Sequence, residues 1–151
     1  MKKLLLFTFL ISINLSFAQE TNPKYDAELA KKLGGDDYGM KAYVLVILKS
    51  GSNESKDSKL IDSCFIGHMS NINHLIEKGK MVVAGPISEN DNAYRGIFIL
   101  NVRSIEEAKS LLSGDPAISS ELLSVALYEW YGPAALTEYL ESSEKIWKKK
   151  L

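Results

Sequence analysis

The chain has 151 residues, of which 46% are apolar and 25% charged. This composition excludes a disordered or collagen-like chain, and the length fits one small domain. The 18 basic residues nearly balance the 19 acidic ones, and Arg95 and Arg103 are the only arginines, so the sequence lacks the basic stripe that nucleic-acid binding requires. We therefore expect no nucleic-acid partner.

The first 18 residues have the pattern of a secretory signal peptide. Lys2 and Lys3 precede a mostly apolar stretch over 4–17, and Ser16 and Ala18 are small residues at the two positions that a signal peptidase recognises. The stretch is shorter than the roughly 20 residues of a membrane-spanning helix, so a retained anchor is the less favoured interpretation. We expect cleavage before Gln19, no stable membrane insertion, and a periplasmic or secreted product.

Residues 19–40 are predicted to form an N-terminal arm. They are polar and contain one short helical pattern from Tyr25 to Leu33, which is followed by glycine. The apolar, β-branched run over 43–48 then predicts a strand. Apolar residues recur at helical spacing from about Lys59 to Gly79 and predict the first long helix.

Two further strands and a second helix follow in the sequence. The runs 81–84 and 97–100 predict the strands, and Ser104 is the expected N-cap of a helix that ends at Gly114. A last strand is predicted from Leu122 to Trp130. Residues 134–151 are predicted to contain one C-terminal helix, from Ala134 to Lys149, with acids early and lysines late.

The predicted order of elements within 41–133 is β-α-β-β-α-β. This order is typical of an α+β, ferredoxin-like domain with an antiparallel sheet and both helices on one face. A sheet with one face in water should alternate apolar and polar residues, yet the runs 43–48 and 97–100 are apolar throughout. We therefore expect a homodimer closed by sheet-to-sheet contact, with partial cover by the C-terminal helix as the alternative.

Cys64 is the only cysteine, so an intramolecular disulfide is excluded. The sequence has two histidines and no metal-binding spacing, and we expect neither a metal nor a cofactor. Cys64 lies one helical turn before His68, which would allow a thiolate–imidazole pair. A cysteine on an apolar helix face is more often a core residue, and that interpretation is favoured here.

His68 lies on the apolar face of the first long helix, four residues before Ile72. It is either a core histidine with one hydrogen bond or a general base whose partner orients the ring. Gly67 costs about 1 kcal/mol relative to alanine inside a helix, so its presence indicates a close backbone approach beside His68. His74 lies off this face and is expected at the surface.

Asp115 precedes Pro116 directly after the second helix. Aspartate at an N-cap followed by proline at the first helical position is a common start of a short helical turn. The pattern alone therefore favours a capping role for Asp115, and a catalytic role stays as the alternative.

Several motifs in fixed order resemble one protein family. His68-Met69-Ser70-Asn71-Ile72, Gly79-Lys80 and Ala84-Gly85-Pro86 are followed by Arg95-Gly96, Asp115-Pro116 and Trp130-Tyr131-Gly132-Pro133. In this order and spacing the sequence resembles the YCII-related (YciI-like) proteins over about residues 25 to 136. The arm, with Tyr25-Asp26-Ala27-Glu28-Leu29-Ala30 and Asp37-Tyr38-Gly39, resembles an exported branch of that family.

The resemblance implies a ferredoxin-like domain that dimerises as a dimeric α/β barrel. The family is also similar to small lactone isomerases and dehydrochlorinases, and a His-Asp pair is its proposed catalytic element. Carried over by position, the pair is His68 and Asp115. The resemblance thus shifts the interpretation of both residues toward a shared pocket, although it implies no particular substrate.

We therefore predict an exported enzyme that transfers a proton on a small carbonyl or lactone compound, as isomerases, lyases or hydrolases do. His68 would act as general acid or base, and Asp115 would orient its ring, without a cofactor. Arg95 and Tyr94 are candidates for binding an anionic or carbonyl group of this small-molecule ligand. The alternative is a dimeric domain that binds a small ligand without turnover or has a structural role.

Overall fold

The computed structural model describes residues 22–148. The predicted signal peptide and the last three residues lie outside the described residues. A four-stranded antiparallel sheet with strand order β2-β3-β1-β4 forms the centre of the fold, in an element order that confirms the α+β, ferredoxin-like prediction. No helix within 22–148 is long and apolar enough to cross a membrane.

The strands are longer than the apolar runs that predicted them. They are β1 (Met40–Ser50), β2 (Met81–Pro86), β3 (Tyr94–Leu100) and β4 (Leu123–Pro133). β1 pairs with both β3 and β4, and β2 pairs with β3 at one edge. The polar ends of β1 and β4 extend the ladder beyond the apolar residues because backbone hydrogen bonds continue there without requiring apolar side chains.

Most helices begin directly after an N-cap residue whose side chain accepts a hydrogen bond from the first turn. They are α1 (Ala27–Leu33), α2 (Ser58–Glu77), α3 (Ile105–Leu112), α4 (Pro116–Ser119) and α5 (Leu140–Ile146). Asp26, Asp57 and Ser104 each accept a hydrogen bond from a backbone amide in the first turn of their helix. Gly34 ends α1 in the left-handed conformation, with φ of 73°, as the predicted arm helix requires.

The core lies between the sheet and helices α2, α3 and α4. Alternate strand residues point toward the helices and are buried: Val44, Val46, Leu48, Phe98, Leu100 and Leu123. α2 contributes Cys64, Ile72 and Leu75 to this core. The side of the sheet that these strand residues occupy is called the helix face below, and the opposite side the open face.

The C-terminal segment differs from the predicted single helix. A 3₁₀ helix over Ala134–Tyr139 precedes α5. The Tyr43 hydroxyl donates to the Pro133 carbonyl at 2.9 Å, and the Tyr139 hydroxyl donates to the carbonyl of Val82 in the far edge strand. The segment therefore crosses the open face from β4 to β2, and these tertiary contacts outweigh the local α-helical pattern.

Candidate functional site

His68 and Asp115 are in direct contact. The distance between His68 Nδ1 and Asp115 Oδ2 is 2.7 Å, and the two side chains are 9% and 0% exposed. α2 positions His68, and the short connection between α3 and α4 positions Asp115. The predicted contact is present, while the catalytic role of the pair stays a prediction.

Asp115 caps α4 and binds His68 at the same time. Its Oδ1 accepts hydrogen bonds from the amides of Ala117 at 3.0 Å and Ile118 at 3.3 Å, while Oδ2 binds His68. The Asn71 side-chain amide also donates to Oδ2, at 3.4 Å. The capping and dyad interpretations of Asp115 are therefore not alternatives, because one carboxylate group does both with different oxygens.

Gly67 permits the close approach of α2 and α4. A β-carbon at Gly67 would lie 2.5 Å from Pro116 Cγ, a distance at which the neighbour has to move. Pro116 is the first residue of α4 and follows Asp115 directly. The close backbone approach predicted beside His68 is thus the packing of Pro116, and it sets how near Asp115 comes to the histidine.

The hydrogen bond with Asp115 determines which nitrogen of His68 is free. A carboxylate accepts hydrogen bonds, so neutral His68 has its proton on Nδ1 and a lone pair on Nε2. Nε2 has no hydrogen-bond partner among residues 22–148. No fully buried side-chain nitrogen or oxygen of the described chain lacks a partner, so Nε2 lies at the edge of the ring that touches solvent.

Aromatic rings enclose the rest of the imidazole. The ring of Phe65 meets it edge-on at 6.0 Å between centroids, and the ring of Phe98 lies 5.8 Å away. Ala84 pairs with Phe98 and shares the helix face, yet it is exposed. Phe65 is 41% exposed and Phe98 is 1% exposed, so the imidazole lies between a partly exposed ring and a core ring.

An open hollow of about 370 Å³ lies on the Asp115 side of the dyad. It is lined by Gly67, Ser70, Asn71, His74, Gly114 and Pro116, and by neither dyad residue. His74 is exposed there, as its sequence position indicated.

The structure does not bring Arg95 and Tyr94 to the dyad. β3 has a bulge at Arg95, since Leu48 pairs with Gly96 and Lys49 with Tyr94, and the Arg95 Nε donates to the Ser50 hydroxyl at 2.8 Å. Tyr94 is four residues from Phe98, about 13 Å along a strand. The Lys49 ammonium lies 5.5 Å from the centroid of the Tyr94 ring. Their role in binding an anionic or carbonyl group stays a prediction.

Cys64 is buried in the core, as expected, and forms no hydrogen bond with His68 among the described contacts. Within residues 22–148, no group of three or more histidine, cysteine, aspartate or glutamate side chains could bind a metal ion.

Two neighbours of the dyad were not predicted from the sequence. Asn71 binds Asp115 because it lies one turn after His68 on the side of α2 that faces α4. Phe98 contacts the imidazole through its position on the helix face of β3. The helical spacing of His68 and Asn71 was the available signal for Asn71. The contact of Phe98 with the imidazole depends on how α2 lies across the sheet.

No protein-family model matches the sequence, and no curated protein matches it. A solved structure of 5-chloro-2-hydroxyhydroquinone dehydrochlorinase from Burkholderia phenoliruptrix AC1100, in complex with 2,5-dihydroxybenzoquinone, resembles the chain at a TM-score of 0.41. The two sequences are 19% identical, and the match covers 58% of this chain and 92% of the dehydrochlorinase chain. At this level the likeness supports no conclusion about function, and the fold is defined by the chain's own strand order.

Proposed function

We propose that the protein is a small-molecule enzyme in which the His68–Asp115 dyad transfers a proton. The observation that carries this proposal is the 2.7 Å contact between a buried carboxylate and Nδ1, which leaves Nε2 as the free nitrogen. This is the arrangement in which a carboxylate fixes the tautomer of a general base and stabilises the imidazolium that forms.

In the proposed reaction, Nε2 removes a proton from a carbon next to a carbonyl group and leaves an enolate. The enolate then either takes the proton back from Nε2 at another position or expels a leaving group, which departs with its bonding electron pair. Asp115 keeps its negative charge throughout and offsets the positive charge that the ring gains. The exposed part of the Phe65 ring would contact the apolar part of the substrate. A buried ring that is held by packing and a hydrogen bond loses little orientational freedom on reaction.

The substrate class, a small lactone or enolisable carbonyl compound, rests on the sequence resemblance to YCII-related proteins, and membership of that family is part of this proposal. The test is exchange of carbon-bound hydrogen for deuterium in D₂O, followed by NMR over a panel of five- and six-membered lactones and cyclic ketones. We expect exchange with the wild-type protein and a decrease of about 10²–10⁴-fold in His68→Gln. His74→Gln, at the other histidine, is the matched control.

A ligand-binding domain without turnover is the second candidate, because a free ring nitrogen beside a partly exposed aromatic ring suits binding equally well. In that case the same panel raises the melting temperature of the wild-type protein but not that of His68→Gln, and no deuterium enters any compound. Equal exchange rates for wild type and His68→Gln would contradict the enzyme proposal.

We also propose that the protein is a homodimer joined through the open face. That face carries the half-buried apolar side chains Leu45, Ile47, Val83, Ile97 and Ile99, and the C-terminal segment covers the sheet only at its Tyr43 end. Half-buried apolar residues in one contiguous strand surface are typical of a protein interface.

Export is proposed from the signal-peptide pattern of residues 1–18. Mass spectrometry of the protein recovered from the periplasm of a bacterial host should identify Gln19 as the first residue. An intact Met1 on membrane-bound material would contradict the proposal.

A further inference from the structure

A cleft lies where the arm meets the domain. It has a volume of about 200 Å³ and is formed by the end of α1, the start of β1 and the connection between β3 and α3. Its lining includes four cationic side chains and no acidic one: Lys31, Lys32, Lys41 and Arg103. On a chain whose net charge is −1, this is a local concentration of positive charge.

The end of α1 explains part of this cluster but not all of it. Lys41 Nζ donates to the Leu33 carbonyl at 3.1 Å, and lysines in the last turn of a helix complement the helix dipole. Lys32 has Glu138 at 3.8 Å as an ion-pair partner. These contacts give Lys32 and Lys41 structural roles in attaching the arm.

Arg103 has no such explanation. It lies directly before the Ser104 N-cap of α3, at the helix end where negative charge is favoured and positive charge is not. It forms no ion pair within residues 22–148. Burial and the Arg103 charge both lower the pKa of Lys41, so the two cations lie close enough to repel each other.

The cationic donors of the cleft differ in how firmly they are held. Lys41 is half-buried and fixed by its bond to Leu33, and Lys31 and Arg103 line the same cleft. An arginine provides a planar fork that matches two oxygens of one anion, and fixed ammonium groups add point charges around it. Three cations without an acidic partner would leave excess positive charge around a monoanion, so a dianion matches the cleft better.

We propose that the cleft bounded by Lys31, Lys41 and Arg103 is a binding site for a small tetrahedral dianion, a phosphate or sulfate group. The group would be either a free oxoanion or the charged end of a phosphomonoester, since both present the same three oxygens. The site is separate from the His68 dyad and does not depend on the enzyme proposal.

The test measures anion binding by the intact protein at pH 8 and constant ionic strength. Inorganic phosphate, sulfate and phenyl phosphate are titrated in the presence of potassium chloride, and amide chemical shifts of 31–41 and 101–106 are followed by NMR. We expect saturable shifts in these segments. Arg103→Gln should weaken binding about tenfold, the loss that accompanies removal of one charge-assisted contact.

Arg95→Gln is the matched control, because it removes the other arginine from the opposite part of the molecule without touching the cleft. Tighter binding of phenyl phosphate than of inorganic phosphate would support the proposal and identify a phosphomonoester as the source. Linear, non-saturating shifts in the wild type would overturn the proposal. Equal affinities for wild type and Arg103→Gln would overturn it as well, because they would show screening of surface charge rather than a site.

Discussion

At the scale of single residues, the site depends on packing as much as on acid–base chemistry. Asp115 reaches His68 because Pro116 lies against the backbone of α2, and Pro116 fits there because residue 67 has no side chain. A residue that lowers helix propensity is thus compatible with a stable helix when it permits a contact that a β-carbon would prevent.

Gly67→Ala should destabilise the protein even though alanine is the better helix former. The added β-carbon would overlap Pro116, and overpacking of this kind costs about 1–3 kcal/mol, partly offset by about 1 kcal/mol of helix propensity. We expect a lower free energy of unfolding in urea. The penalty should shrink in a Pro116→Ala background, where Cγ is missing, and an equal penalty in both backgrounds would show that the strain lies elsewhere.

Asp115→Asn should move the proton of neutral His68 from Nδ1 to Nε2. Asparagine is also a good N-cap, so its oxygen should remain on the amides of Ala117 and Ile118. Its NH₂ group then faces Nδ1, which has to become the acceptor. Nitrogen chemical shifts of the imidazole, measured by long-range ¹H–¹⁵N NMR, report the tautomer.

In that experiment His74 is an internal control, because it is exposed and remote from the substituted carboxylate. A mutant in which His68 keeps the proton on Nδ1 would show that Asp115 does not set the tautomer. The free lone pair on Nε2 would then need another cause.

At the scale of elements, the sequence predicted what depends on local signals and missed what depends on contacts between distant segments. The helix start at Ile105 follows from the capping residue Ser104, and the sheet follows from apolar runs. The prediction of a single C-terminal helix was wrong in part, because the Tyr139 hydroxyl donates to the Val82 carbonyl across the sheet. No local sequence pattern indicates this contact. The placement of Arg95 depends on the β-bulge opposite Leu48 and Lys49, which no local sequence pattern indicates.

The arm is attached through a titratable pair between its last turn and β4. The Tyr131 hydroxyl donates to Asp36 Oδ2, while Asp36 Oδ1 accepts from the amides of Tyr38 and Met40. The hydrogen bond from Tyr131 is the main cause that lowers the pKa of Asp36, and the bond to Asp36 raises the pKa of Tyr131 to about 12. The ionised carboxylate and the protonated phenol are thus the forms that stabilise the folded state.

Tyr131→Phe should therefore lower stability by an amount that depends on pH. The contribution of Asp36 is present above its unfolded pKa of 3.8 and is lost as pH falls through the lowered folded value. The contribution of Tyr131 is present below 10.0 and is lost as pH rises toward about 12. We expect a constant difference in melting temperature from wild type between about pH 5 and 9, which narrows at both extremes.

Tyr25→Phe is the control for that series, since Tyr25 is an exposed tyrosine in the arm with no side-chain hydrogen bond among the described contacts. A difference for Tyr131→Phe that does not vary with pH would mean that the phenol acts through packing alone.

At the scale of the whole molecule, one face of the sheet is completed by helices and the other only in part. The centre of the helix face is almost fully buried, with Val44, Val46 and Phe98 each no more than 1% exposed. On the open face, Tyr43 is covered by the C-terminal segment, whereas Tyr128 remains 53% exposed. Because of this asymmetry, the fully apolar strand sequences predicted contact with a second chain.

Ile97→Glu tests the dimer at the centre of the open face. A typical stable interface covers about 800 Å² on each partner, and a carboxylate placed inside it would be desolvated without a counter-charge. Sedimentation at micromolar concentration should give twice the chain mass for the wild type and one chain mass for Ile97→Glu, with unchanged far-UV circular dichroism. Ser110→Glu, which adds the same charge on the exposed side of α3, should remain dimeric. A monomeric wild type would mean that one chain tolerates its open face in water, and a dimeric Ile97→Glu would move the interface to another surface.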